Sequence, residues 1–143
     1  MDTSLISPFM SIVLGATILS VVTIAFGGTF LLRVVTGAHP TNDLQKSFFR
    51  AGHAHAGVLV MLGLLLAVLG NATGASTGWA DGGAIAVLVA AILMPLGFFL
   101  SVLGRDPQRP NRMIISVWLG ATLLVAGLLV SGIATLVAGI DRF

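Results

Sequence analysis

Two histidines and an arginine fall within six positions in Phe49-Arg50-Ala51-Gly52-His53-Ala54-His55-Ala56-Gly57, inside an otherwise apolar stretch. Ionisable side chains are costly in hydrocarbon, and where they occur in a membrane segment they mark ligand, ion or proton sites by default. Imidazole is both a metal ligand and a proton carrier. On one helix His53 and His55 point about 200° apart, so they do not grip one ion from the same face; the paired i,i+4 spacing is absent. Either one histidine faces a site and the other does not, or each faces a different neighbour. Ala51, Gly52 and Ala56 are small and leave clearance around the pair, as a flat, bulky group requires.

Other readings of the same residues stand beside this one. Both histidines can sit at interfacial depth, hydrogen-bonded to backbone or headgroups. Met61, Met94 and Met113 can join imidazoles around a soft ion such as copper. His39, beside Pro40, reads as a solvated loop residue. Arg33, Arg105 and Arg109 read as orientation signals. Arg50 and Arg112 have an additional use, since arginine forks match the carboxylates of a bound cofactor; contact with headgroups is the ordinary alternative.

Several chemistries are excluded by composition. Without cysteine there is no disulfide, thiolate metal site or cysteine nucleophile, and without tyrosine there is no phenolic proton donor. Glutamate is also missing, so five aspartates are the only acidic side chains. No Gly-x-Ser-x-Gly turn, phosphate loop or carboxylate pair appears. The expected spans contain no acidic residue, against a proton-coupled transporter or a carboxylate-ringed cation channel.

The elements that position these residues are membrane helices. Of the 143 residues 57% are apolar and 8% charged, and mean hydropathy is +1.07. A soluble domain carries roughly a quarter charged residues, so this chain cannot clothe a water-facing surface. Four apolar segments each supply the roughly 20 residues that cross a ~30 Å hydrocarbon core. The fold expected is an all-α integral membrane four-helix bundle forming one domain, with helices over about 7–34, 44–70, 82–104 and 112–140. The first span, long and without an early basic cluster, reads as a mature helix rather than a signal peptide. Pro40-Thr41-Asn42-Asp43 reads as a turn before a helix N-terminus, Asn71 to Gly83 as a loop with Trp79 at the interface, and Asp106 to Pro110 as a short stiff loop.

Six of seven basic residues flank the first and third loops, so both termini are expected outside and those loops in the cytoplasm. That asymmetry explains the sequence pI of about 10.6 without nucleic acid. The location expected is a bacterial cytoplasmic membrane. Small residues recur inside the spans, Gly52 with Ala56 and Gly127 with Ser131, a spacing that lets helices approach.

Arg50-Ala51-Gly52-His53-Ala54-His55-Ala56-Gly57 resembles the Arg-Ala-His-Ser-Gly stretch of styrene oxide isomerases. Gly97-Phe98-Phe99-Leu100 and Pro110-Asn111-Arg112 resemble the Gly-Phe-Tyr-Leu and Pro-Asn-Arg of the same family, in the same order and helices. Hydroxylaminobenzene mutases share a looser version, and some small actinobacterial membrane proteins carry nearly the same double-histidine motif. The resemblance implies a four-helix protomer, a homotrimer, and haem b held at the protomer interface by a histidine of the second helix. Matching His-x-Gly to His55-Ala56-Gly57 makes His55 the axial ligand; a shift in register makes it His53. Arg50, Asn111 and Arg112 follow as cofactor-contacting residues. The family's asparagine six positions after the histidine is Met61 here, and its tyrosine after Gly-Phe is Phe99.

Two classes of function follow. The first is a haem-binding membrane protein. With one axial histidine the iron acts as a Lewis acid on a small apolar substrate, in an isomerase-like reaction. With His53 and His55 of neighbouring chains on both axial positions, electron transfer or redox sensing follows instead. The second class is a cofactor-free structural or accessory subunit of a larger membrane complex.

Overall fold

Two helix starts are written in the side chains beside them. Ser7 accepts from the Met10 amide at 3.2 Å, and Pro8 takes the first helical position, where a missing N–H costs nothing. Asn42 and Gln45 form a reciprocal capping box at the next start: the Asn42 side chain accepts from the Gln45 amide at 2.9 Å, and Gln45 Oε1 accepts from the Asn42 amide at 3.2 Å. The computed structural model describes residues 6–75 and 77–143. It contains α1 (Pro8–Val35), α2 (Asp43–Ala72), α3 (Thr77–Ser101) and α4 (Ile115–Ile140), the last entered through a 3-10 turn over Arg112–Ile114. All four are long and apolar enough to cross a membrane, and the described residues contain no strand.

Three helices begin and end within a few residues of expectation; α3 does not. It was expected over 82–104 and instead starts at Thr77 and ends at Ser101. Trp79 and Asp81 therefore belong to its first turns, not to a loop, and Asp81 joins Asp43 as a carboxylate within a spanning helix. The glycines there lower helix propensity, but packing overrides it. Ala80 and Ala84 are buried, and a Cβ on Gly70 would come within 2.7 Å of Ala80 Cβ. At the other end Gly104 (φ +129°) and Asp106 (φ +56°) turn the chain away.

α3 is the centre of the bundle, although it is third in order. Half of its membrane window is buried, against 6% for α1. α2 and α4 pack on either side of α3, α1 packs chiefly on α2, and α2 and α4 meet marginally. Small residues set the close approaches. At the α3–α4 seam a Cβ on Gly97 would stand 2.6 Å from the Val117 amide nitrogen, and one on Gly127 would stand 2.7 Å from the Gly83 carbonyl oxygen. Gly52 and Gly127, singled out by spacing, are thus buried packing positions. Beside Gly83 the Ser131 hydroxyl is buried without a hydrogen-bond partner among the described residues. Ser131→Ala removes that unpaired group, and unfolding in mixed micelles is expected to show stability unchanged or raised by about 1 kcal/mol.

The first and third loops are fastened together. Asn42 Nδ2 donates to Asp106 Oδ1 and to the Pro107 carbonyl, both at 2.8 Å. Gln45 Nε2 donates to the Val102 and Gly104 carbonyls, both at 3.1 Å, satisfying acceptors left open at the end of α3. Asn42→Ala loses a helix cap and a loop tie together. The same unfolding measurement should show a loss of about 1–2 kcal/mol, the upper range for a cap.

Candidate functional site

The histidines stand on either side of the α2 stripe that packs on α3. That stripe runs through Gln45, Phe49, Gly52, Leu59, Gly63, Ala67 and Gly70, all buried. His53 turns toward α1: a Cβ on Gly28 would lie 3.6 Å from its Nε2, and one on Gly27 3.9 Å from its Nδ1. His55 turns toward α3, with its ring 5.1 Å from that of Phe98 and tilted by 38°. Each histidine faces a different neighbour, and both are half-buried.

One hydrogen bond sets the chemistry of His55. Its Nδ1 lies 2.7 Å from the carbonyl oxygen of Ala51, one turn earlier. A carbonyl only accepts, so Nδ1 carries the proton. In the neutral ring the lone pair then sits on Nε2. A ligating histidine is oriented in this way, with its other N–H held by a backbone carbonyl. The wall beside it is aromatic, since Phe98 meets Phe48 edge-on at 5.7 Å.

A second aromatic run crosses this end of the bundle. His39 meets Phe30 edge-on at 5.3 Å, Phe30 meets Phe49 at 5.4 Å, and Phe49 stacks on Phe99 at 5.4 Å. The doublets Phe48-Phe49 and Phe98-Phe99 carried this signal in the sequence, one ring of each pair joining each run. His39 is exposed in its loop, as expected.

Three expectations about space and ligands change. Gly52 does not leave clearance for a flat group: its Cβ position is filled by α3, 2.9 Å from the Phe99 ring. Met61, six residues after His55, is about 240° further round the helix and 63% exposed, so it faces away from His55. Met94 is buried against Gly120 and Met113 sits in the 3-10 turn, so the methionines lie on different faces. No group of three histidine, cysteine or acidic residues gathers among the described residues.

Asn111 has both ends of its amide occupied. Nδ2 donates to the Leu100 carbonyl at 3.0 Å and Oδ1 accepts from the Met113 amide at 2.8 Å, joining the end of α3 to the start of α4. Its backbone N–H donates to the Ser101 carbonyl at 2.7 Å. Arg50 and Arg112 are exposed at the same end of the bundle. Arg50 leaves α2 about 140° from His55.

Comparison with protein-family models, with curated proteins and with solved structures finds no match for this chain.

Proposed function

We propose that this chain is a haem b-binding integral membrane protein in which His55 Nε2 is the axial ligand. The observation that carries the reading is the Nδ1–Ala51 bond, which fixes the ring and leaves Nε2 as the lone-pair nitrogen. The Phe98 and Phe48 rings, which meet edge-on, make the wall beside it aromatic and apolar. Bound haem supplies an iron centre that polarises an oxygen of a small apolar substrate as a Lewis acid.

The protein's part is orientation and exclusion of water. His55 sits about three turns from the start of α2, inside the apolar span. Met61 and Phe99 provide no hydrogen-bonding side chain where the isomerases use asparagine and tyrosine, so a substrate here is held by apolar contact. The isomerase-like reaction is accordingly of a kind that needs no second polar group.

Arg50 and His55 leave α2 about 140° apart, so a cofactor carboxylate held by Arg50 would belong to a haem held by another copy's histidine. This supports an interfacial haem in a homo-oligomer, with a homotrimer as the proposed assembly. One chain offers a single ligand to one iron, so six-coordinate, electron-transferring haem requires a second copy. The membrane is proposed to be a bacterial cytoplasmic membrane, with the basic end inside.

The test is an absorption spectrum of the detergent-purified protein, oxidised and then reduced, with a pyridine haemochrome assay. A Soret band and a ratio approaching one haem per chain are expected, and the reduced bands separate one axial histidine from two. A protein that stays colourless after haem is offered overturns the proposal and leaves a copper site or a cofactor-free subunit.

A further inference from the structure

Six basic residues gather at one end of the bundle: Arg33, Lys46, Arg50, Arg105, Arg109 and Arg112. Two carboxylates share that end, and neither neutralises an arginine. Asp43 pairs with Lys46 at 3.5 Å, the only ion pair among the described residues, and Asp106 accepts from Asn42. Five exposed arginines are left facing whatever surrounds this end of the protein.

Between the start of α2 and the α3–α4 loop lies a cleft of about 430 Å³, lined by Thr41, Asn42, Gln45, Gly104, Arg105 and Asp106 among others. Its walls are tied by the bonds that fasten the two loops, so the cleft is preformed. Asn42 and Gln45 each have both amide hydrogens engaged in those ties. The side-chain cation lining the cleft is Arg105; the Asp106 carboxylate also lines it and is held by Asn42, and Arg109 lies outside the lining. The cleft opens between the start of α2 and the residues after α3, where the apolar spans end.

We infer that this cleft seats the phosphate of an anionic phospholipid. Guanidinium forks match phosphate oxygens in a bidentate manner, and basic pockets between transmembrane helices take anionic headgroups. Charge complementarity selects the occupant. A zwitterionic headgroup brings its own cation into a field that is already positive, whereas an anionic one cancels it. This site is independent of the histidines and of haem.

Native mass spectrometry of the detergent-solubilised protein, titrated with phosphatidylglycerol or phosphatidylcholine, tests the inference. Phosphatidylglycerol is expected to be retained more tightly, with a preference that falls as salt rises. Arg105→Gln should weaken its binding about fivefold and the double variant with Arg109→Gln further, since each basic residue near the surface contributes a comparable factor. Arg105→Lys should keep most of the affinity, and Arg142→Gln, at the opposite end, all of it. Equal retention of the two lipids, or no loss in a folded Arg105→Gln protein, overturns the inference. Displacement of phosphatidylglycerol by equimolar inorganic phosphate also overturns it, in favour of a soluble-anion site. If the glutamine variants do not fold, salt-insensitive lipid preference in the unaltered protein does the same.

Discussion

His55→Ala is expected to abolish the Soret band of the purified protein, while His53→Ala keeps it. The two residues are two positions apart but face different helices. His55 has its Nδ1 proton fixed on the Ala51 carbonyl and presents Nε2 beside Phe98. Removal of even the group that orients a metal-bound histidine costs about 10–100-fold in affinity, and loss of the ligand itself costs more. His53 instead fills the space against Gly27 and Gly28. Its removal should therefore loosen the α1–α2 seam and lower thermal stability without bleaching the protein. Haem content by pyridine haemochrome and unfolding by circular dichroism, measured on the same samples, separate the two effects. Bleaching by His53→Ala with pigment retained in His55→Ala would reverse the assignment.

Gly97→Ala should be among the most destabilising single-carbon changes the chain can undergo. The added Cβ would stand 2.6 Å from the Val117 amide nitrogen and 3.1 Å from Ser116 Cβ. The first contact is with backbone, which cannot swing aside as a flexible side chain can, so α3 and α4 must separate. Overpacking of this kind costs about 1–3 kcal/mol. Gly132→Ala on α4 is the control, because nothing lies within 4 Å of its Cβ position. There the greater helix propensity of alanine is unopposed, and stability should hold or rise by up to about 1 kcal/mol. Unfolding by sodium dodecyl sulfate in mixed micelles provides the comparison. Equal effects at the two positions would show that the α3–α4 seam is not tightly closed.

The four spans were legible because lipid imposes one solution on long apolar segments, and Asn42-x-x-Gln45 announced the start of α2 through ordinary capping chemistry. The start of α3 was not legible. Thr77-Gly78-Trp79-Ala80-Asp81-Gly82-Gly83 has the composition of a loop, and only the partners of Ala80, Gly83 and Ala84 on neighbouring helices make it helical. The angular separation of His53 and His55 followed from helix geometry, but the neighbour each one meets is a tertiary fact. Gly52 illustrates the same limit: a missing side chain signals space, and sequence does not say whether a cofactor or a helix fills it. The paired phenylalanines were visible as doublets, whereas their division into two aromatic runs depends on how α1, α2 and α3 are set side by side.

The central position of α3 has a consequence for how the protein is made. A chain enters the bilayer from its N-terminus, so α1 and α2 arrive before the wall against which the core closes. The contact between those two helices is slight, and the first half of the chain thus resides in lipid as two nearly independent spans. α3 and α4 follow as a hairpin joined by a short loop, with the most extensive seam in the molecule between them. On this contact pattern assembly is expected to run against the order of the chain, with the α3–α4 hairpin closing first, α2 docking onto it and α1 coming in last.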